Sequence, residues 1–303
     1  MAAYRFCRSD DIALLVDALN RCWAPYFPDE PAMTTVAFKR SIRDLQVWCS
    51  SCMVAFSGAD PIGVLIGAKR PSGTLVHRIA VHPDHRRQGH GRHLLASLGS
   101  KLAILGPPRI VAEVPEMLAD ACQLFSDSGY VAEALLTDYV SRPVAREEAA
   151  ASPDHGTRFV IPVSIDDLAA NGLLGEDQPQ VCWGRSVETL TARKEHIEGL
   201  AVASDEQIEA YLLYSKDSVR SEGNAEAAPR TSAPTTEIVS LRSFVEDGGA
   251  RLKQLLSRLR RTGAETLHFP KGHPAEISRE LLETLGFRPA GEHRLYAALA
   301  RSD

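Results

Sequence analysis

The sequence predicts two tandem α/β domains, each a central mixed β-sheet flanked by helices. Three observations carry this prediction. The 303 residues are enough for two domains of ordinary size. Short apolar strands alternate with amphipathic helices, the pattern of a layered α/β fold. One order of elements (helix, helix, hairpin, strand, helix, strand, helix, strand) occurs twice, and each round ends its last helix on Gly-aromatic, at Gly129-Tyr130 and at Gly286-Phe287. The division puts one domain at residues 1–145, a linker at 146–157 and a second domain at 158–303. The linker REEAAASPDHGT is charged, small and broken by proline and glycine.

In the first half, SDDIALLVDALNRCW (9–23) repeats apolar residues at helical spacing after Ser9, Asp10 and Asp11, which favour a helix start. A shorter helix is predicted over 34–45. Residues 53–70 read as a hairpin turning at Ser57-Gly58-Ala59-Asp60, and 74–81 as a third strand. A helix over 91–106 stops at Gly106 before two prolines. A strand at 108–115, a helix at 117–130 and a closing strand at 134–142 complete the half. The second half offers a strand at 158–164, a short helix, a helix at 182–197, a hairpin at 199–215, a strand at 237–244, a helix at 249–263, a strand at 265–270, a helix at 275–287 and a last strand at 293–300. Residues 219–236 are of low complexity and predict a loop.

Composition excludes several classes. Hydrophobic residues make up 44% and charged residues 24%, a globular balance. A net charge of −5 argues against a general nucleic-acid binder, so the basic cluster near residue 90 points to a small ligand. No apolar run is long enough to span a membrane, and the N-terminus lacks a secretory pattern, which predicts a cytoplasmic protein with no membrane partner. Six sparse cysteines fit a reducing compartment. Trp48-Cys49-Ser50-Ser51-Cys52 has a redox outline but opens a strand, where no helix N-terminus lowers a thiol pKa.

The chemistry is expected in VHPDHRRQGHGRHLL (81–95). A strand ends, a basic and glycine-rich turn follows, and a helix begins near Gly91. Such a turn offers free N–H groups and a favourable helix dipole to an anion. Gly89 and Gly91 leave room for close approach, and Arg86, Arg87 and Arg92 add charge. His82, His85, His90 and His93 lack metal-ligand spacing, so no metal is expected and His90 is placed near the phosphates. The turn has no P-loop lysine, and Leu94 stands where a dinucleotide fingerprint needs its third glycine.

What remains is R-x-x-G-x-G, spelled Arg86, Arg87, Gln88, Gly89, His90, Gly91, after a strand ending Ile79-Ala80-Val81. With the late A-x-x-x-F-x-x-x-G-Y at Ala121–Tyr130, this resembles the GNAT acyltransferase superfamily over residues 4–142. The resemblance implies tandem GNAT-like domains and an acetyl-CoA-dependent N-acetyltransferase, with acetyl-CoA as co-substrate. The loop through Arg92 would hold its pyrophosphate by backbone amides. The strand Ile79, Ala80, Val81 would pair with the pantetheine arm, and a splay from the next strand, Ile110 to Val114, would admit the thioester. An amine of a small molecule or peptide would attack directly, which makes positioning and a proton acceptor the main needs. Candidate bases are His77 and Glu113, each equally readable as a structural residue.

The sequence departs from the family where many members carry a tyrosine acid: Phe125 stands there, and Leu118 replaces a frequent asparagine. That keeps a rival reading open, a non-catalytic acyl-CoA-binding sensor or pseudoenzyme. The second half has only VEDGG (245–249) where the first has its loop, with Glu246 and Asp247 set to repel phosphate. It reads as a degenerate domain that walls the acceptor site, forms a homodimer or serves in packing.

Overall fold

The computed structural model describes residues 2–142, 159–174, 181–215 and 235–301. The predicted linker at 146–157 and most of the predicted loop at 219–236 lie outside the described residues. The chain forms two compact units, one built from Met1–Leu135 with His293–Asp303, the other from Leu136–Ser221 with Ala228–Glu292. Each is a mixed sheet flanked by helices.

The first unit opens with β1 (Ala2–Phe6), which lies outside the predicted elements because five residues give too short a pattern. α1 (Ile12–Cys22) buries Leu15, Ala18, Leu19 and Cys22. Its expected cap is used differently: the Asp11 carboxylate accepts both Nη groups of Arg5 and the Arg8 N–H. α2 (Thr35–Leu45) is capped by the Thr34 hydroxyl, which accepts the Ala37 N–H. The hairpin is β2 (Met53–Ser57) and β3 (Asp60–Arg70). β3 is buried along almost its whole length, as a central strand covered on both faces must be. β4 (Gly73–Val81) leads into α3 (His90–Leu105), then β5 (Arg109–Pro115), α4 (Ala119–Asp127) and β6 (Val131–Ser141).

In the first unit β1, β2, β3 and β4 pair antiparallel in turn, and β4 then pairs parallel with β5. α1 packs on β3 and α2 on α1. On the other face Leu94, Leu95, Leu98 and Leu102 of α3 and Phe125 of α4 pack with Leu65, Val76, Ile110, Ala112 and Val114 of the sheet. Each such leucine contributes about 2 kcal/mol by leaving water.

After β6 follow β7 (Phe159–Val163), α5 (Ile165–Ala170), α6 (Val187–Ala192), β8 (Ile197–Ala203), β9 (Ile208–Ser215), β10 (Thr235–Ser243), α7 (Ala250–Arg261), β11 (Thr266–Gly272) and α8 (Arg279–Thr284), all in the second unit, and β12 (Arg288–Leu299), which lies in it up to Glu292. The expected helix over 182–197 is broken into α6 and two 3-10 turns, because Ser186 is extended and caps a new helix through the Thr189 N–H. The helix expected at 275–287 shrinks to α8, which starts on a Ser278 cap. α7 and α8 cover one face of the sheet; α5 and α6 cover the other.

The units modify the division at 145/158 in one respect: their last strands are exchanged. Residues 136–141 of β6 belong to the second unit, where Tyr139 pairs with Phe269 and Ser141 with Leu267 of β11. His293–Leu299 of β12 belong to the first unit and pair antiparallel with β5, from Pro115 to Arg109. No described helix is long and apolar enough to cross a membrane.

Candidate active site

β4 and β5 pair only at their starts, Thr74 with Ile110 and Leu75 with Val111. Beyond Leu75 they part, while β4 keeps its pairing with β3 to Val81 and β5 is held by β12 to Pro115. Ile79, Ala80 and Val81 therefore present a strand edge to an opening between β4 and β5. A splay of this kind leaves backbone N–H and C=O groups for an extended partner.

His77 is the extra residue of a β-bulge. Val76 pairs with Gly67 and Arg78 with Ile66, leaving His77 between them. Bulges re-aim side chains and are over-represented beside active sites. His77 is half-buried, as is Glu113 on the facing part of β5, where it alternates with the core residues Ala112 and Val114. Both candidate bases thus lie on strands bordering the opening.

After β4 the chain makes a 3-10 turn at Pro83–His85 and reaches Gly89, which N-caps α3 at φ 85°. An L side chain is strained at that φ, yet a Cβ there would meet nothing within 4 Å. The N–H groups of Gln88, Gly89, His90, Gly91 and Arg92 make no hydrogen bond among the described residues. Gly91 is also close-packed: its Cβ would lie 3.0 Å from Leu124 Cδ2, so a side chain there would press on α4. His90 points its side chain elsewhere. Its ring is buried and takes a 2.6 Å bond with the Tyr4 hydroxyl through Nδ1. Burial, with the nearby charges of His85 and His93, lowers its pKa. The backbone N–H of His90 is the part of this residue left without a partner among the described residues.

The arginines have a counterion. Asp120, in the first turn of α4, accepts Arg86 and, at 2.7 Å, Arg87. Arg92 pairs with Asp127 at 3.5 Å. The segment after α1 lies along the end of β4. The Tyr26 hydroxyl donates to the Val81 carbonyl at 2.6 Å, and its ring lies under Arg86. Burial raises the Tyr26 pKa, so the hydroxyl stays a donor. Further back, Trp23 stacks on Phe27 and under Arg78, with its Nε1–H on Glu30. Asp120, Arg78 and Tyr4 lie outside the predicted set. Asp120 and Tyr4 reach partners tens of residues away, a distance no local pattern reports.

Phe125, at the position of the missing tyrosine, is buried. It meets Tyr130 edge-on and stacks on Tyr296 of β12, whose hydroxyl lies 3.5 Å from Ser126 Oγ. None of the six cysteines forms a disulfide. Burial pushes the Cys7 thiol up to about 12 and raises Cys49 and Cys52, the reverse of an activated redox pair.

The second unit repeats this frame. β10 and β11 pair parallel from Thr235 with Thr266 to Glu237 with His268, then part. A bulge leaves Val239 extra, and α7 starts from Gly249 at φ 86°. Here, however, Asp247 accepts the N–H groups of Gly249 at 3.0 Å and Arg251 at 2.9 Å, plus the Arg251 guanidinium at 2.7 Å. Burial opposes its charge, but these bonds outweigh it and hold its pKa below the usual carboxylate value. Asp247 stands where the sequence reading expected repulsion; it acts as a built-in anion. Arg185 is buried with Glu276 and donates to the Pro270 and Lys271 carbonyls of β11, past the end of its pairing with β10.

Residues 48–132 match the acetyltransferase (GNAT) domain family. No curated protein matches the chain. Among solved structures it is similar to a tandem GNAT protein from the clavulanic acid biosynthesis pathway, at 14% identity over 100% of both chains and a TM-score of 0.66. It is similar to a GCN5-related N-acetyltransferase from Sphaerobacter thermophilus, at 13% identity over 99% of this chain and 96% of that one, with a TM-score of 0.65. A putative acetyltransferase from Pyrococcus horikoshii aligns at 14% identity over 99% and 90%, with a TM-score of 0.60. At these identities the likeness establishes the fold alone: the chain has the tandem fold of these structures, and residues 48–132 are similar to the GNAT domain family.

Proposed function

We propose that this tandem GNAT-fold chain is an acetyl-CoA-dependent N-acetyltransferase whose first domain transfers the acyl group directly to an amine of a small molecule or peptide. The observation that carries the reading is the parting of β4 from β5 beside five unbonded N–H groups at the start of α3. In this reading Gln88–Arg92 hold the pyrophosphate by backbone amides, with charge from Arg86, Arg87 and Arg92. The edge Ile79–Val81 pairs with the pantetheine arm. The attacking amine must be neutral, and His77 or Glu113 takes its proton as the base. The released thiolate is a tolerable leaving group, so water protonates it where Phe125 cannot. The second domain holds no cofactor, since Asp247 and Arg185 fill the corresponding groups. Six cysteines in thiol form and the acyl-CoA supply favour the cytoplasm.

The specific observation favouring the rival, an acyl-CoA sensor without turnover, is buried Phe125 at the acid position. Titration calorimetry with acetyl-CoA tests the shared part; no heat of binding ends both readings. Thiol release from acetyl-CoA with a panel of amines separates them, because a sensor binds and releases nothing.

A further inference from the structure

We infer that Arg78 is a carboxylate-binding residue beside the transfer site, so the acceptor carries a carboxylate near its reactive amine. The inference rests on the transferase reading above. Arg78 follows the bulge at His77, on the part of β4 that has left β5. Ile79 packs toward the α3 and α4 core, so its neighbour Arg78 turns to the opposite face, where the segment after α1 lies. Its side chain is only 15% exposed.

A guanidinium carries five N–H donors, and those of Arg78, though mostly covered, still reach solvent and stay open to an incoming acceptor. Among the described residues Arg78 makes no hydrogen bond. Its nearest acceptor is Glu30 Oε2 at 3.8 Å, beyond hydrogen-bond reach, and that oxygen already takes the Trp23 indole N–H at 3.0 Å. The guanidinium carbon lies over Trp23, 4.9 Å from the ring centroid, and Trp23 also stacks on Phe27. A positioned and under-bonded fork suits a planar oxyanion that can take two parallel N–H bonds. Glu30 is the internal counterion that the incoming carboxylate displaces.

The test uses the full chain with acetyl-CoA and matched acceptors: a free amino acid, its amide and its decarboxylated amine. Alanine, alaninamide and ethylamine form one set; phenylalanine, its amide and phenethylamine form another. The expected kcat/KM for the carboxylate member exceeds that of its amide by about tenfold, one charge-assisted pair's worth. In Arg78→Gln that ratio falls toward one, chiefly through the acceptor KM. Arg78→Lys keeps the charge without the fork and retains part of the ratio. Glu30→Gln raises the ratio, an opposite sign that a merely structural role for Arg78 does not produce. Circular dichroism confirms that the variants fold. A wild-type ratio near one, or a ratio unmoved in Arg78→Gln, overturns the inference. The same sets are titrated into CoA-saturated chain, so absence of turnover still decides: tighter carboxylate binding that is lost in Arg78→Gln upholds it, and no preference overturns it. Failure to bind acetyl-CoA overturns the transferase reading and this inference together.

Discussion

α3 and α7 each begin on a glycine in the left-handed region, Gly89 at φ 85° and Gly249 at φ 86°. Each follows a strand that has parted from its parallel neighbour and carries a bulge two residues after the last pair, at His77 and at Val239. At α3 five successive N–H groups point to no partner among the described residues. At α7 the Asp247 carboxylate takes two of the corresponding groups and is held by Arg251, which also bonds Glu209. A helix start needs an anion or an acceptor, and the chain supplies one internally in the second unit. The two units therefore share the frame and differ in what occupies its helix start.

The largest effect expected from this comparison is at the paired glycines. Gly89→Val places a side chain in open space where the ligand approaches, at a strained φ. It should weaken acetyl-CoA binding by about 100-fold in calorimetry while the domain still folds. The matched Gly249→Val should leave acetyl-CoA affinity alone and lower thermal stability, because its Cβ would lie 2.6 Å from Leu281 Cδ1. Equal effects on binding would erase the distinction between the two helix starts.

Asp247→Ala comes next. Loss of an anionic cap should destabilise the second unit by about 2 kcal/mol in urea unfolding. The sign with pH follows from its lowered pKa. The charged form is the one the fold stabilises, so the contribution is full above about pH 4, the unfolded value, and is lost as the pH falls through the folded value. The variant should lack that acid-side loss. Acetyl-CoA should still bind with one site per chain, since Arg185 remains; a second site would mean that Asp247 alone separates the two units.

The smallest effect is at Asp120. Its bonds to Arg86 and Arg87 are exposed, and such pairs contribute about 0.2–1 kcal/mol. Asp120→Asn should tighten acetyl-CoA binding by about two- to fivefold at low salt, with the gain shrinking as salt rises. Weaker binding would make Asp120 a positioner of the arginines instead of a competitor for them.

Most of the fold was legible because its signals are local. Apolar spacing places α1, α2 and β2 to β5, and the loop's glycines place the start of α3. Misplaced elements have local causes of another kind, such as Ser186 and Ser278 starting new helices inside longer apolar patterns. The candidate site was legible as a stretch of backbone. Side-chain contacts were less so: no local pattern reports the bond of the His90 ring to Tyr4, the closeness of Gly91 to Leu124, or the Asp247 cap at the start of α7.

By itself the sequence determined the α/β order, the doubled frame and the strand–glycine–helix turn, because periodicity and backbone freedom act within a few residues. Only the tertiary structure decided which last strand completes which sheet, what fills the start of α7, and that Arg78 lies over Trp23 without a hydrogen-bond partner among the described residues. Those outcomes depend on groups brought together from distant parts of the chain, where hydrogen-bond geometry and burial select the partner.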